Sequence, residues 1–415
     1  MFVMNPLGRR QLWGPRCRFA LAAAALSLST ASPFAYAAAE AAPLVRPATV
    51  TALATHALML AVAKAGDSRT VAVGERGIVL VSDDDGRGWR QVPVPVSVTL
   101  TSVQFVDARQ GWIAGHSGVI LHTEDGGEHW TRQLDGTAAA QLASKEAEAL
   151  AANDADVAPV AAPPSNDDGT AIPVVPHKSP AQVALSNAQR LAKEGADKPF
   201  LSLWFSDAQH GTAVGAYGLA VHTNDGGRTW QSWAARVGDA RSLHLYAVRQ
   251  RGDSIWIAGE QGFVARSNDG GLSFDVVATP YKGSFFALGI VPDGAVVLGG
   301  LRGNVVRSAD GGATFTALKP GGDAAITDIV YAADGTWLLA TQSGQVYASR
   351  DAASTFQPLL ARPTFPLNGI AAGPSGTVIG AGFAGAISVA QIGKEAAPAH
   401  IARNAQSNGI AGGQQ

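Results

Sequence analysis

The chain has 415 residues, of which 47% are hydrophobic and 15% charged, and its formal net charge is −2. Near neutrality removes the electrostatic case for binding nucleic acid or an anionic membrane surface. A single cysteine excludes a disulfide scaffold and a cysteine zinc site. The 48 glycines and 22 prolines follow no G-X-Y period, so they predict many turns between short β-strands.

Residues 1–37 read as an export signal. Arg9, Arg10, Arg16 and Arg18 form a basic lead, and Phe19 to Leu28 a short apolar core. Ala35-Tyr36-Ala37 supplies the small-x-small pattern before a cleavage expected after Ala37. Arg9-Arg10 resembles part of a twin-arginine signal. Cys17 precedes the apolar core, so cleavage leaves a mature chain without cysteine. No later apolar stretch is long enough for a membrane span.

The rest of the chain is dominated by internal repetition. Six segments stack as Ser82-DDDGRG-Trp89, Thr123-EDGGEH-Trp130, Thr223-NDGGRT-Trp230, Ser267-NDGGLS-Phe274, Ser308-ADGGAT-Phe315 and Ser349-RDAAST-Phe356. All but the last fit S/T-x-D-x-G-x-x-W/F; the last has Ala353 in place of the glycine. A G-x-x-G step precedes most boxes, at Gly74/Gly77, Gly115/Gly118, Gly215/Gly218, Gly259/Gly262 and Gly300/Gly303. The sixth copy has Thr341/Gly344, and a seventh, Gly382/Gly385, has no box after it. The second glycines fall at 77, 118, 218, 262, 303, 344 and 385, giving gaps of 41, 100, 44, 41, 41 and 41.

Each copy reads as four strands. In the second, these lie near Thr99–Val106, Gly111–Gly115, Val119–Thr123 and His129–Leu134. The G-x-x-G step makes the turn between the second and third strands, and the box the turn between the third and fourth. The box aspartate accepts backbone N–H groups in its own turn, glycine permits positive φ, and the aromatic residue packs back on the hairpin. About 40 residues and four antiparallel strands per unit predict an all-β, seven-bladed β-propeller of four-stranded blades. Leu44–Leu53 is expected to pair into the seventh blade and close the ring. The propeller then spans 38–395, with a disordered tail at 396–415.

These boxes are the Asp-box, or BNR, motif. With the G-x-x-G spacing, the array resembles the photosystem II stability/assembly factor family of seven-bladed propellers. The resemblance covers about residues 44–390 apart from one insertion. It implies a non-catalytic exported scaffold that binds a protein partner, including a membrane protein, and assists assembly of a membrane complex. The expected compartment is the periplasm, or a thylakoid-lumen-like space in a phototroph. No cofactor or metal is expected, and the protein is read as a monomer. The competing class is a glycan-acting BNR enzyme, sialidase-like, or a carbohydrate-binding module.

The anomalous gap places an insertion at 135–198, between the second and third copies. Thr137–Ala152 and Ser179–Ala196 predict two helices, the second capped by Ser179 with Pro180 at its first position. Val183, Leu185, Ala188, Leu191 and Ala192 are expected to form its apolar stripe. By blade topology the insertion shares a face with the G-x-x-G turns, and the boxes face the other way. Candidate partner-binding residues on the turn face are Arg76, His116, Tyr217, Arg302 and Phe383. Asp84, Asp125, Asp225, Asp269 and Asp310, with Trp89, Trp130 and Trp230, are read as structural rather than as calcium ligands. Enzyme motifs are missing. Tyr246, Tyr281 and Tyr331 are the available nucleophiles and Glu75 and Glu260 the turn-face acids, but no R-I-P, H-E-x-x-H, G-x-S-x-G or Walker sequence accompanies them. His122 and His222 occupy matching third-strand positions, which repeat inheritance explains.

Overall fold

The computed structural model describes residues 42–155, 179–195, 197–239 and 241–392. The expected signal at 1–37 and the tail at 396–415 lie outside these residues. Seven antiparallel sheets follow one another along the chain, six of four strands and the last of three. The innermost strands are Met59–Ala65, Leu100–Phe105, Phe200–Phe205, Leu245–Arg251, Phe285–Ile290, Ile326–Tyr331 and Leu367–Ala372. Each packs on the next, and the seventh returns to the first, so the ring is shut.

The second strand of each blade explains why the sequence alternates so weakly there. Gly111–Gly115, Trp337–Thr341 and Val296–Gly300 are buried at every position, because neighbouring blades cover both faces of the sheet. The core is therefore a set of interblade layers. Val71, Val73 and Val81 of the first blade meet Ile113, Leu121 and Trp130 of the second. Trp112 of the second blade stacks on Phe205 of the third at 3.7 Å between ring centroids. A large side chain buried in this way stabilises the fold by roughly 1.5–3 kcal/mol.

Closure differs from the sequence expectation. Leu44–Leu53 is not a strand, and the seventh sheet, Leu367–Ala372, Thr377–Gly382 and Gly385–Gln391, has no fourth member among the described residues. The N-terminal segment runs instead beside the outer edge of the first blade. Ala48 N–H donates to the Val94 carbonyl, Ser97 N–H to the Pro43 carbonyl, and Thr51 N–H to the Gln91 side chain. The ring is held shut by side chains. Met59, Val62 and Leu80 of the first blade pack with Ile379 and Ala381 of the seventh. Asn368 Nδ2 adds a bond to the Met59 carbonyl across the same seam at 2.9 Å. Edge-to-edge hydrogen bonding is not required when an apolar layer of this kind spans the joint.

The insertion folds as two helices, α1 (Gly136–Ala155) and α2 (Pro180–Glu194). Ser179 caps α2, as the sequence predicts, and does so in a capping box with Gln182. Ala143 and Ala147 of α1 pack on Ala188 of α2. Leu191 reaches the layer between the second and third blades. Ala192, expected in the apolar stripe, is exposed, because the packed stripe runs through Ala184 and Ala188, which meet α1, and Leu191, which meets the propeller.

Candidate functional site

The two ends of each third strand are built from different chemistry. At one end lie the boxes. In the second, Thr123 Oγ1 donates to Asp125 Oδ1, and the same oxygen accepts the N–H groups of Glu128 and His129. The arrangement recurs at Asp84, Asp225, Asp269, Asp310 and Asp351, with small changes in donor. The hydroxyl and then the N–H of Thr229 hold the Asp225 carboxyl down at about 2, and Thr314 does the same for Asp310. These carboxylates are consumed by their own turns. Among the described residues no group of three or more His, Cys, Asp or Glu is placed to hold a metal. The aromatic residue goes further than the hairpin. Trp130 Nε1 donates to the Gly127 carbonyl at 3.0 Å, while its ring enters the layer between the first and second blades. Trp89 makes the equivalent bond to Gly86, and Trp230 is buried edge-on to Phe205. The sixth box keeps this geometry without glycine: Ala352 and Ala353 adopt φ of 55° and 59°.

At the other end lie the G-x-x-G turns. In the first blade, a Cβ on Gly74 would stand 2.1 Å from the Leu58 carbonyl oxygen, and Gly77 sits at φ 74°. Between them Arg76 is held left-handed at φ 53°. Ser117, Tyr217, Gln261 and Arg302 occupy the same position at φ 56°, 58°, 54° and 55°. Each such non-glycine residue costs about 1–2 kcal/mol, and the flanking glycines impose it. Arg76, Tyr217 and Arg302 are thus equivalent display positions on one face. His116 stands one residue earlier in its turn. Phe383 belongs to a tighter, two-residue link between Gly382 and Gly385, and is 65% exposed. Leu301, beside Arg302, is 41% exposed and was not singled out from the sequence; its signal is an apolar residue in a turn.

The insertion lies on this same face, as topology predicts. A Cβ on Gly118 would stand 2.4 Å from Gly136 Cα, at the first residue of α1. Arg190 of α2 and Lys198, just beyond its end, both lie 5.3 Å from the Tyr217 ring centroid. Tyr217 retains 37% exposure. Arg76, Arg302 and Phe383 are exposed.

A central channel of about 390 Å³ opens through the ring. Its wall was not legible from the motifs. Every innermost strand carries an extra, unpaired residue at its second position. The residues at these positions are Leu60, Thr101, Leu201, Tyr246, Phe286, Thr327 and Asn368, and all seven line the channel. Bulges re-aim side chains at rims in this way. They sit where the chain enters each blade from the turn face, so they ring the channel mouth on that face. Deeper in, Arg249 and Asp328 face each other at 4.0 Å, and Asp328 accepts the Ile370 N–H, tying blades four, six and seven. Burial pushes the Asp328 carboxyl up and the Arg249 guanidinium down.

The enzyme candidates are not assembled into a site. Tyr246 donates to Glu260 Oε1 at 3.4 Å, and burial followed by the Glu260 charge pushes its phenol up to about 12, the wrong direction for a nucleophile. Tyr281 donates to the Leu301 carbonyl on the turn face, and Tyr331 lies tilted at 37° against Trp337 at the far end of its strand. Glu75 and Glu260 accept the N–H groups of Leu58 and His244, so each braces its own turn. His222 stacks on Trp233 at 3.9 Å, and His122 on Trp112 at 4.7 Å.

Comparison with known proteins agrees with this geometry. The chain is 34% identical over 84 residues to the photosystem II assembly lipoprotein Ycf48 of Synechococcus sp. strain CC9902, covering 19% of this chain and 25% of that protein. It is 43% identical over 47 residues to the chloroplastic photosystem II stability/assembly factor HCF136 of Cyanidioschyzon merolae, 11% of each. The aligned stretches therefore span a quarter or less of these relatives. Two solved structures share the fold. One, described as YCF48 bound to D1 peptide, has a TM-score of 0.53 at 17% identity, covering 82% of this chain and 94% of that one. The other, YCF48 from Cyanidioschyzon merolae, has a TM-score of 0.52 at 16% identity, covering 82% and 98%. The family model described as Photosynthesis system II assembly factor YCF48 matches residues 41–156 and 182–362. With more than half of its length matched by that model, this chain belongs to the YCF48 photosystem II assembly factor family.

Proposed function

We propose that this protein is a non-catalytic scaffold that binds a segment of a membrane protein on its G-x-x-G turn face during assembly of a membrane complex. One observation carries the reading. The boxes bind their own carboxylates, whereas the opposite face displays Arg76, Arg302, Leu301 and Phe383 on backbones locked by glycine, around a channel mouth ringed by half-buried side chains. Rigid display lowers the entropy lost on binding, and aromatic and Arg side chains supply most of the energy at such interfaces. A relative solved with a D1 peptide supports a peptide partner for this chain. Relatives described as a lipoprotein and as chloroplastic are consistent with an exported protein. We place it in the periplasm, or in a lumen-like space in a phototroph, with α1 and α2 flanking the partner.

The test is capture of detergent-solubilised membrane proteins on the immobilised protein. A specific captured species, lost in the Arg76→Glu/Arg302→Glu variant and weakened in Phe383→Ala, is the expected result. Capture that survives these changes but is lost when the box face is altered would overturn the reading.

A further inference from the structure

The seventh blade ends differently from the others. In the six other blades the outer edge is a strand of two to four residues, such as Gln231–Ser232 or Thr131–Leu134. Short outer strands blunt an edge against further pairing. In the seventh, the outer edge among the described residues is Gly385–Gln391, seven residues long. Its inner side is paired to Thr377–Gly382. Among the described residues its outer side has no main-chain partner. Ile387 is 40% exposed and Ser388 is exposed beside it.

Neither the N-terminal stretch nor the sequence after Ile392 carries the box that turns the chain into a fourth strand elsewhere. The N-terminal stretch meets the start of this edge, where a Cβ on Gly385 would stand 2.1 Å from the Thr55 carbonyl oxygen, but its main-chain bonds to other segments go to the first blade, at Ala48 and Ser97. After Ile392, 23 residues remain, Gly393 to Gln415. Aligned on the other copies, the box aspartate position holds Ile392 and the box aromatic position Ala397. The turn chemistry that brings back every other fourth strand is missing. What fits an unpaired strand is an extended backbone, recognised through main-chain hydrogen bonds with specificity from alternate side chains.

We propose that the outer edge of the seventh blade, Gly385–Gln391, takes an extended segment of a partner protein as its fourth strand, with an apolar side chain covering Ile387. This deepens the scaffold reading by adding a second, main-chain contact on the rim.

The probe is a labelled synthetic peptide of residues 126–135 of this chain, GGEHWTRQLD, which is the fourth strand of the second blade with its Trp130. Fluorescence anisotropy with the full chain should give saturable binding, absent for a proline-substituted peptide. Ile387→Lys, and independently Ser388→Lys, should weaken it at least tenfold with an unchanged thermal midpoint. Amide exchange at Ile387–Gln391 should be fast in the free protein and slow with the peptide. No binding, with amides already slow, would assign the edge to the chain's own tail and sink the proposal. No binding with fast amides would sink it too. A concentration-dependent dimer abolished by Ile387→Lys would assign the edge to a second copy instead. The Arg76→Glu/Arg302→Glu variant should bind the peptide normally, so failure at the edge and failure of the turn face are separable.

Discussion

The box turns and the G-x-x-G turns lie at opposite ends of the same third strands, and both recur around the ring, yet they use their residues in opposite ways. In a box the recurring side chain is the structural element: Asp125 is saturated by its own hydroxyl and N–H donors. In a G-x-x-G turn the recurring element is backbone, and the side chain between the glycines varies from Arg76 to Ser117 to Tyr217. Recurrence of a polar group in a repeat therefore marks architecture when the group's hydrogen-bonding capacity is met locally. A variable side chain on a fixed backbone is where recognition has room to act.

The comparison breaks first at the glycines. Gly74→Ala drives a Cβ into the Leu58 carbonyl and should destabilise by about 3 kcal/mol, read as a fall in denaturant midpoint. Next comes the box. Asp125→Ala leaves the N–H groups of Glu128 and His129 without their acceptor and should cost about 1–2 kcal/mol, as loss of a helix cap does. An unchanged midpoint would show that the box carboxylates are not structural. The sixth box can be sharpened instead: Ala352 is exposed at φ 55°, so Ala352→Gly should raise stability by about 0.5–1 kcal/mol.

Acidity probes both layers. Burial lowers the pKa of His222, so the unfolded chain binds more protons below about pH 6.5 and stability should fall as pH drops from there. His222→Gln should flatten that slope. The box carboxyls near 2 act in a separate window. Their contribution persists above the unfolded Asp value near 4 and is lost as pH falls toward 2. The smallest stability effect is expected on the turn face. Arg76→Glu, Arg302→Glu and Phe383→Ala should each stay within about 0.5 kcal/mol while partner capture drops.

The repeat boundaries, the strand order within each blade and the face carrying the insertion were all legible in the sequence. Turn residues announce themselves through local chemistry: Asp with two glycines needs no distant partner to be read. The closure differs because Leu44–Leu53 stands in the chain where a fourth strand belongs, and only its neighbours in space decide what it pairs with. The channel ring escaped for a related reason. A bulge at Leu60 or Tyr246 shifts the inward and outward alternation by one residue, and no residue type marks it.

The sequence by itself determined that a unit of about 41 residues recurs and where each unit turns, because these depend on φ preferences and hydrogen bonds a few residues apart. Only the tertiary structure decided how the ring shuts and which side chains line its axis. Those outcomes depend on burial between blades far apart in the chain, as where Met59 meets Ile379, and a linear pattern holds no record of which apolar surface meets which.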